Sequence, residues 1–358
     1  MRYYQVDKLA LTQNVRRLQE MAEGRTLWAV VKGDGYGLGI RNLVPVLAEL
    51  GATHFAVTAL AEARAIRELG LERAEILMME GTCNPAELAE LVKLDVVVSI
   101  GSHEALMQAE TLGCPVRAHL KVDVGMGRFG FSAEDVAQVL EVYRKTERVS
   151  FEGIYTHFPE AWEEKPTRAM FEKFRRLVDS LRRSCIEPGM VHCCNSIAFF
   201  KYPEMRLDAV RLGSAILGRG SDARRAGLES LGVCLAELEQ VKTIPKGHSV
   251  GYGREWTAKR DTRIAVLGVG YSNGFSLNRG LDVWNFKECL RGLARYVKAF
   301  LTKRALYVQV NGKSCRVLGH VGMVSMTIDV TDCPCKAGDI ARVALEPLLV
   351  RNMDVIIE

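Results

Sequence analysis

Eight short apolar segments alternate with stretches of helical periodicity between about residue 8 and residue 220, and this alternation limits the folds open to the chain. The segments read TLWAVVK, HFAVTA, AEILMME, DVVVSI, VRAHLKVD, FEGIYTHF, GMVHCCN and AVRLG. Short apolar segments separated by amphipathic helices are typical of parallel strands that are buried on both faces. Eight such units within about 210 residues predict a closed (β/α)8 barrel, with a doubly wound parallel sheet as the alternative.

The pattern changes after about residue 230, where strand-like segments follow one another with little helical periodicity. The tetrapeptide VNGK at 310–313 predicts a β-hairpin, because Asn-Gly is a preferred pair for a two-residue turn. We therefore expect an α/β protein with a barrel domain over residues 1–228 and a β-rich domain over residues 229–358. A segment with helical periodicity at 287–304 interrupts the second domain.

Composition argues against several classes of function. The formal net charge of +5 is small for 358 residues, and it favours an anionic small ligand over nucleic acid, which requires a concentrated basic patch. The ten cysteines lack the paired C-x-x-C spacing of a zinc site, so we expect reduced thiols and no metal. No apolar run has the form of a signal peptide or approaches the ~20 residues of a membrane span, so we expect a cytoplasmic protein.

Polar side chains follow several of the predicted strands, at the end of a barrel where active sites form. They are Lys32, Arg128, His157, Asn195, Ser196 and Arg211. Lys32 precedes the glycine-rich sequence GDGYGLG, and a lysine there is either a solvated charge or an amine that forms a Schiff base. The small residues of RLGSAILG at 211–218 place backbone N–H groups where a phosphate can bind. A phosphate-binding turn opposite a buried lysine, with Asn195 and Ser196 as further donors, predicts pyridoxal phosphate.

Six motifs, in order along nearly the whole chain, resemble those of the alanine racemases. They are AVVKGDGYGLG, KVDVGMGRFGF, THF, NSIA, VRLGSAILG and VGYGREWTA. The resemblance implies a pyridoxal phosphate enzyme with a barrel domain and a C-terminal β domain. It also implies a role for each residue that matches.

By this resemblance, Lys32 carries the cofactor and Arg211 faces its pyridine nitrogen. Arg128 lies near the phenolic oxygen and the substrate, and His157 packs by the ring. Lys121 is the lysine that is often carbamylated in the family. The phosphate is assigned to Tyr36, Ser196, Gly213 and Ser214.

The same resemblance implies a reaction with two bases. Lys32 serves one face of the substrate and Tyr252 the other, with Tyr252 supplied by the partner subunit of a head-to-tail homodimer. The backbone N–H of Met323 meets the substrate carboxylate. Because an arginine stays protonated, Arg211 cannot protonate the pyridine nitrogen, which favours racemisation over the decarboxylation that related barrel enzymes perform.

The loop VLGHVGMVSMTIDV at 317–330 departs from the family, which typically has arginine, cysteine or serine, and aspartate at its His320, Gly322 and Val324. A wider and neutral pocket predicts a small-to-medium neutral substrate such as alanine or serine. A basic substrate such as lysine or ornithine is the alternative, recruited by acidic residues near the site mouth: Glu160, Glu163 and Glu164. A pyridoxal phosphate-binding regulatory protein without catalytic activity is a further alternative.

The segment 287–304 combines an apolar face with many basic residues. The interpretation favoured by the sequence is a helix packed on the β domain with its charges in water. The alternative is a surface that binds an anionic membrane or an acidic partner.

Overall fold

The computed structural model describes residues 1–277 and 284–358, which divide into two compact units. One unit comprises Asp7–Leu231, and the other comprises Met1–Val6 together with Gly232–Glu358. The strands are β1 Arg2–Val6, β2 Thr26–Val30, β3 His54–Val57, β4 Glu75–Met78, β5 Val98–Ile100, β6 Val116–Asp123, β7 Phe131–Ser132, β8 Val149–Tyr155, β9 Met190–Cys194, β10 Ala209–Leu212, β11 Val233–Ile244, β12 Ser249–Val250, β13 Trp256–Thr257, β14 Thr262–Leu267, β15 Tyr307–Val310, β16 Lys313–Leu318, β17 Met326–Asp329, β18 Ile340–Val343 and β19 Asp354–Ile357. The helices are α1 Lys8–Ala22, α2 Lys32–Tyr36, α3 Ile40–Glu49, α4 Leu60–Glu68, α5 Pro85–Lys93, α6 His103–Thr111, α7 Val136–Lys145, α8 Glu164–Arg183, α9 Ser196–Lys201, α10 Ser221–Arg225 and α11 Phe286–Leu301.

The first unit is a parallel barrel, as the eight apolar segments predict. Its strands follow the order β4-β3-β2-β10-β9-β8-β6-β5, and β7 pairs with β6. The two ends of this order join through a parallel bridge between Leu77 and Val97. There the Met78 N–H donates to the Val97 carbonyl at 2.9 Å, and the Val97 N–H donates to the Ile76 carbonyl at 2.8 Å. Because the sheet closes on itself, the doubly wound alternative is wrong.

The barrel helices bury one face each, as their sequence periodicity predicts. In α8 the buried residues recur at helical spacing, among them Phe171, Phe174, Leu177 and Leu181. Its arginines lie on the opposite, exposed side. Burial of such an apolar face stabilises a helix far more than its intrinsic helix propensity does.

The second unit is built around the long strand β11. A closed ring of pairings runs β14-β17-β16-β15-β18-β11 and returns from β11 to β14. The predicted hairpin is confirmed: β15 and β16 pair antiparallel across Asn311 and Gly312, whose φ values of 50° and 75° suit a type I′ turn.

The N-terminal strand belongs to the second unit rather than to the barrel, which differs from the expected domain range of 1–228. Strand β1 pairs antiparallel with β11 and parallel with β19. Its backbone hydrogen bonds therefore complete the second sheet, and the barrel unit begins at Asp7.

The helix expected at 287–304 is present as α11, Phe286–Leu301. Its apolar residues are exposed, so the interpretation that this face packs on the β domain is wrong. No helix in the described part of the chain is both long and apolar enough to cross a lipid bilayer.

Candidate active site

A cavity opens at the carboxyl ends of the barrel strands and collects most of the predicted site residues. Eight of them line it: Lys32, Tyr36, His157, Asn195, Ser196, Arg211, Gly213 and Ser214. Val30, Met79 and Ile197 complete the lining. Sequence positions up to 184 residues apart thus meet because parallel strands of a barrel end on the same rim.

The glycine-rich sequence after Lys32 forms a left-handed turn. Five consecutive residues have positive φ, with values of 63° at Gly33, 51° at Asp34, 64° at Gly35, 57° at Tyr36 and 86° at Gly37. A left-handed conformation costs about 1–2 kcal/mol for each residue that carries a Cβ. Glycine at three of the five positions avoids this cost there and so lowers the conformational energy of the turn. The turn places both Lys32 and Tyr36 at the cavity.

Tyr36, Ser196 and Gly213 meet at one side of the cavity. A Cβ atom at Gly213 would lie 2.2 Å from the Tyr36 hydroxyl, so no other residue fits there without displacement. The Ser196 hydroxyl accepts hydrogen bonds from the backbone N–H groups of Gly213, at 3.4 Å, and Ala215, at 3.2 Å. Burial raises the pKa of Tyr36, so its hydroxyl keeps its proton and can donate. This cluster of hydroxyl and N–H groups suits a phosphate.

Asn195 lines the cavity and also caps the helix that begins at Ser196. Its side-chain oxygen accepts from the N–H groups of Ile197, at 3.1 Å, and Ala198, at 3.0 Å, and thereby caps α9. Its side-chain nitrogen donates to the Phe158 carbonyl at 3.0 Å. The amide therefore positions Ser196, and the second N–H of its side-chain nitrogen is left for a ligand.

Arg211 is almost completely buried, with 4% of its surface exposed. Its terminal nitrogens donate to His192 Nδ1 at 2.9 Å and to the Thr156 carbonyl at 2.7 Å. The guanidinium carbon lies 5.0 Å from the centre of the Tyr155 ring. These contacts fix the guanidinium at the cavity wall and hold a permanent positive charge there.

Two histidines that sequence reasoning missed support Arg211. His192 Nε2 lies 3.0 Å from His119 Nδ1. Because arginine can only donate, His192 Nδ1 must accept, and the proton on its Nε2 is then donated to His119. Burial, with Arg211 as the next cause, lowers the pKa of His119 to about 3 and lowers the pKa of His192 as well, so both rings stay neutral.

The positions of these two histidines in the sequence could have identified them as partners of a buried polar group. His119 precedes Lys121 by two positions and so lies on the same face of β6, and His192 lies within the apolar strand β9. A histidine inside a strand that is buried on both faces needs a polar partner. That requirement points toward the buried arginine.

The surroundings of the cavity are electropositive. Burial lowers the pKa of Lys121 to about 8, assisted by Arg128, and its amine donates to the Met79 carbonyl at 2.6 Å. Burial also lowers the pKa of His157 to about 3, with Arg211 and Arg128 contributing. The lining contains no aspartate or glutamate within the described part of the chain. The cavity therefore favours an anionic ligand.

Arg128 lies in the loop after β6 and is exposed rather than part of the cavity lining. The carboxylate of Asp123 accepts from the N–H groups of three loop residues at 2.7–2.8 Å: Gly125, Met126 and Gly127. This bonding holds the loop that carries Arg128.

Tyr252 and Met323 lie in the second unit, on one exposed surface. Tyr252 is 79% exposed at the tip of the β12–β13 hairpin, and Met323 is 59% exposed in the loop before β17. Gly319 approaches the hairpin so closely that a Cβ there would lie 2.5 Å from the Val250 carbonyl oxygen. The Met323 carbonyl in turn accepts from the Ser272 N–H at 2.9 Å. The hairpin and the loop thus form a continuous surface.

The barrel cavity fits pyridoxal phosphate. A lysine amine, a cluster of phosphate donors closed by Gly213 and a fixed guanidinium are the three kinds of group that its aldehyde, phosphate and ring nitrogen require. A side chain at position 213 would obstruct the cluster, which explains why a glycine stands there.

Comparison with known proteins agrees with this chemistry. The family profile for the alanine racemase N-terminal domain matches residues 6–220, and that for the alanine racemase C-terminal domain matches residues 234–347. The chain is 30% identical over 334 residues to "Alanine racemase 1" of Oceanobacillus iheyensis, covering 90% of this chain and 82% of that one. It is 34% identical over 283 residues to an alanine racemase of Listeria monocytogenes, covering 76% and 75%. A solved alanine racemase from E. faecalis superposes with a TM-score of 0.78 at 28% identity, covering 96% of this chain and 88% of that one.

The hydrogen bond from Arg211 to His192 can be tested by measuring the stability of the folded protein. In His192→Leu the buried Arg211 N–H loses its acceptor, and we expect the free energy of unfolding to fall by about 1–3 kcal/mol in urea denaturation. His192→Asn, which restores an acceptor, should recover part of the loss. His54→Leu is the matched control, because the rings of His54 and His192 both lie against the Trp28 ring but His54 makes no bond to Arg211. Wild-type stability of His192→Leu would show that the histidine does not hold Arg211.

Proposed function

The chain belongs to the alanine racemase family, a family of isomerases, and we propose that it interconverts the L- and D-forms of a small-to-medium neutral amino acid, alanine and serine among them, with pyridoxal 5′-phosphate. The observation that carries this proposal is the convergence of Lys32, Arg211 and the Tyr36–Ser196–Gly213 cluster on one cavity. Each of the three provides one contact that the cofactor requires.

Different residues of the cavity would bind different groups of the cofactor. The Lys32 amine would hold its aldehyde, and Tyr36, Ser196 and the backbone N–H groups of Gly213 and Ser214 would hold its phosphate. His157, kept neutral, packs beside the ring. When bound, the cofactor supplies the electron sink that makes the substrate Cα–H acidic.

Arg211 determines which bond to Cα is broken. Its guanidinium would hold the ring nitrogen of the cofactor by hydrogen bonding but would not give up its proton, because arginine stays protonated. The electron sink is weaker than with a carboxylate at this position, which favours reversible removal of a proton over loss of CO2. The bonds from Arg211 to His192 and Thr156 support this assignment because they prevent the guanidinium from turning away.

Two bases on opposite faces of Cα are needed to invert its configuration. We assign one to the Lys32 amine and the other to the Tyr252 hydroxyl of a second copy of the chain. The exposure of Tyr252 and its position on the same surface as Met323 support a role toward a partner barrel. The Met323 N–H, which has no hydrogen-bond acceptor among the described residues, is free to bind the substrate carboxylate.

A neutral substrate follows from the loop around Met323. Gly322 carries no side chain, and Val324 places an apolar side chain, 53% exposed, where the family typically has a carboxylate. Of the glutamates that could recruit a basic substrate, Glu164 already pairs with Arg168 at 2.8 Å. Tyr252 and Met323 also argue against a regulatory protein without activity, which has no use for a second base.

The phosphate cluster is tested by Gly213→Ala. The added Cβ meets the Tyr36 hydroxyl, and overpacking of this kind costs about 1–3 kcal/mol, so we expect cofactor affinity to fall roughly 5- to 150-fold. The measurement is titration of the protein with pyridoxal phosphate followed by absorbance. Gly268→Ala is the control, because its Cβ would overpack a side chain in the second unit, Glu239, instead of Tyr36. Unchanged affinity in Gly213→Ala would rule out the phosphate at this position.

The shared site is tested by subunit exchange. Lys32→Ala and Tyr252→Phe should each lose nearly all racemisation of L-alanine, measured by chiral chromatography, because each lacks one base. Mixing the two variants should restore activity, since a heterodimer holds one site with both bases intact. Failure to recover activity, with exchange verified by mass spectrometry, would contradict a shared site.

Substrate choice is tested by comparing kcat/KM for alanine, serine, leucine, lysine and ornithine. One methylene in an apolar pocket is worth about 1–3 kcal/mol, so we expect alanine and serine to be used within roughly 100-fold of each other, with leucine below them. A strong preference for lysine or ornithine would contradict the proposal of a neutral pocket and would indicate that Glu160 and Glu163 recruit a basic substrate. Strict preference for alanine would show that the Gly322–Val324 loop does not line the pocket.

A further inference from the structure

Helix α11 presents its apolar face to solvent. Five residues at spacings of three and four form a stripe along it, called here the apolar stripe: Phe286, Leu290, Leu293, Val297 and Leu301. Their exposed fractions lie between 47% for Val297 and 84% for Phe286. Large exposed side chains that are contiguous mark a binding surface, whereas single ones are ordinary.

The orientation of the helix accounts for this exposure. Gly292 is buried, and Glu288 and Ala299 are half-buried, while every other residue of α11 is exposed. At 3.6 residues per turn, these three positions lie on the side opposite the apolar stripe. The helix therefore packs against the protein through Glu288, Gly292 and Ala299, and the apolar stripe faces solvent.

The charge of the whole chain is concentrated on the same segment. Residues 284–304 contain six basic residues and one acidic residue, a net charge of +5, which equals the formal net charge of all 358 residues. The remainder of the chain is therefore formally neutral. Glu288 pairs with Arg291. Within the described residues, the other five basic side chains have no ion-pair partner: Lys287, Arg295, Lys298, Lys303 and Arg304.

The basic and aromatic residues flank the stripe in a defined order. Lys287 and Lys298 lie directly beside the stripe on the helix surface, where their long side chains can extend toward headgroups while the stripe is covered. Trp284, Tyr296 and Phe300 are also at least 75% exposed, and aromatic side chains of this kind favour the boundary between water and hydrocarbon.

We propose that α11 binds the surface of an anionic phospholipid bilayer, with the apolar stripe inserted at the level of the headgroups and the basic side chains paired with lipid phosphates. The 16 residues of the helix span about 24 Å, shorter than the ~20-residue length of a spanning helix, so α11 lies in the plane of the membrane. Pairing of two copies through this face is opposed by their like charges, since each copy brings a net charge of +5 within a Debye length of the other.

Vesicle flotation tests the proposal with the full chain loaded with cofactor. The protein should float with vesicles of equal parts phosphatidylcholine and phosphatidylglycerol and stay unbound with phosphatidylcholine alone. High salt should weaken the binding, because the attraction of unpaired surface charges is screened. Fluorescence of Trp284 should shift to the blue on binding, measured in a Trp162→Phe background since Trp162 is also exposed.

Two sets of variants separate the contributions of the basic and the apolar side chains to vesicle binding. The triple variant Lys287→Gln, Arg295→Gln and Lys298→Gln keeps helix propensity and should weaken binding roughly 100-fold, at about fivefold for each basic residue. The double variant Leu293→Ser and Val297→Ser should abolish flotation while it leaves racemase activity unchanged. The matched control replaces three exposed arginines of α8, a helix whose apolar face is buried: Arg176→Gln, Arg182→Gln and Arg183→Gln. This control should bind like the wild type.

Three outcomes would overturn the proposal. Equal binding to neutral vesicles, or equal loss in the α8 control, would remove the specific role of α11. A smaller oligomer for the Leu293→Ser and Val297→Ser variant in analytical ultracentrifugation, with vesicle binding unchanged, would make this face an interface between copies. Binding of soluble polyglutamate with the affinity shown for anionic vesicles would make it a site for an acidic polypeptide.

Discussion

The candidate site depends on one buried guanidinium. Burying the charge of Arg211 is costly unless every N–H finds an acceptor, and the barrel supplies acceptors from three adjacent places: His192, the Thr156 carbonyl and the ring face of Tyr155. The same burial keeps the neighbouring histidines neutral, because a second positive charge cannot be accommodated beside the first. A fixed charge that cannot lose its proton is then available to a ligand in the cavity.

A second constraint is the left-handed turn after Lys32. Five consecutive residues with positive φ follow the apolar strand, and this turn places both Lys32 and Tyr36 at the cavity. The Tyr36 hydroxyl reaches Gly213, which must lack a side chain to receive it. The glycines of two motifs that are far apart in the chain are thus required by a single contact.

Much of the fold and the position of the site could be predicted from local sequence. Short apolar strands that alternate with helices permit few arrangements, and the carboxyl ends of parallel strands necessarily share one rim. The sequence therefore predicts that four residues at strand ends lie close together: Lys32, His157, Ser196 and Arg211. The Asn311–Gly312 hairpin followed from backbone preference alone, since both residues tolerate positive φ.

What the sequence by itself determined was the order of strands and helices and the residues at their ends, because these depend on neighbours in the chain. Only the tertiary structure decided which distant groups became partners. It placed β1 in the second sheet, committed the Asn195 amide to capping α9, and connected Arg211 to His119 through His192. It also turned the apolar face of α11 outward, although the same periodicity in α8 is buried. Hydrophobic periodicity fixes that a helix has an apolar face, but which surface that face meets depends on contacts that are remote in the sequence.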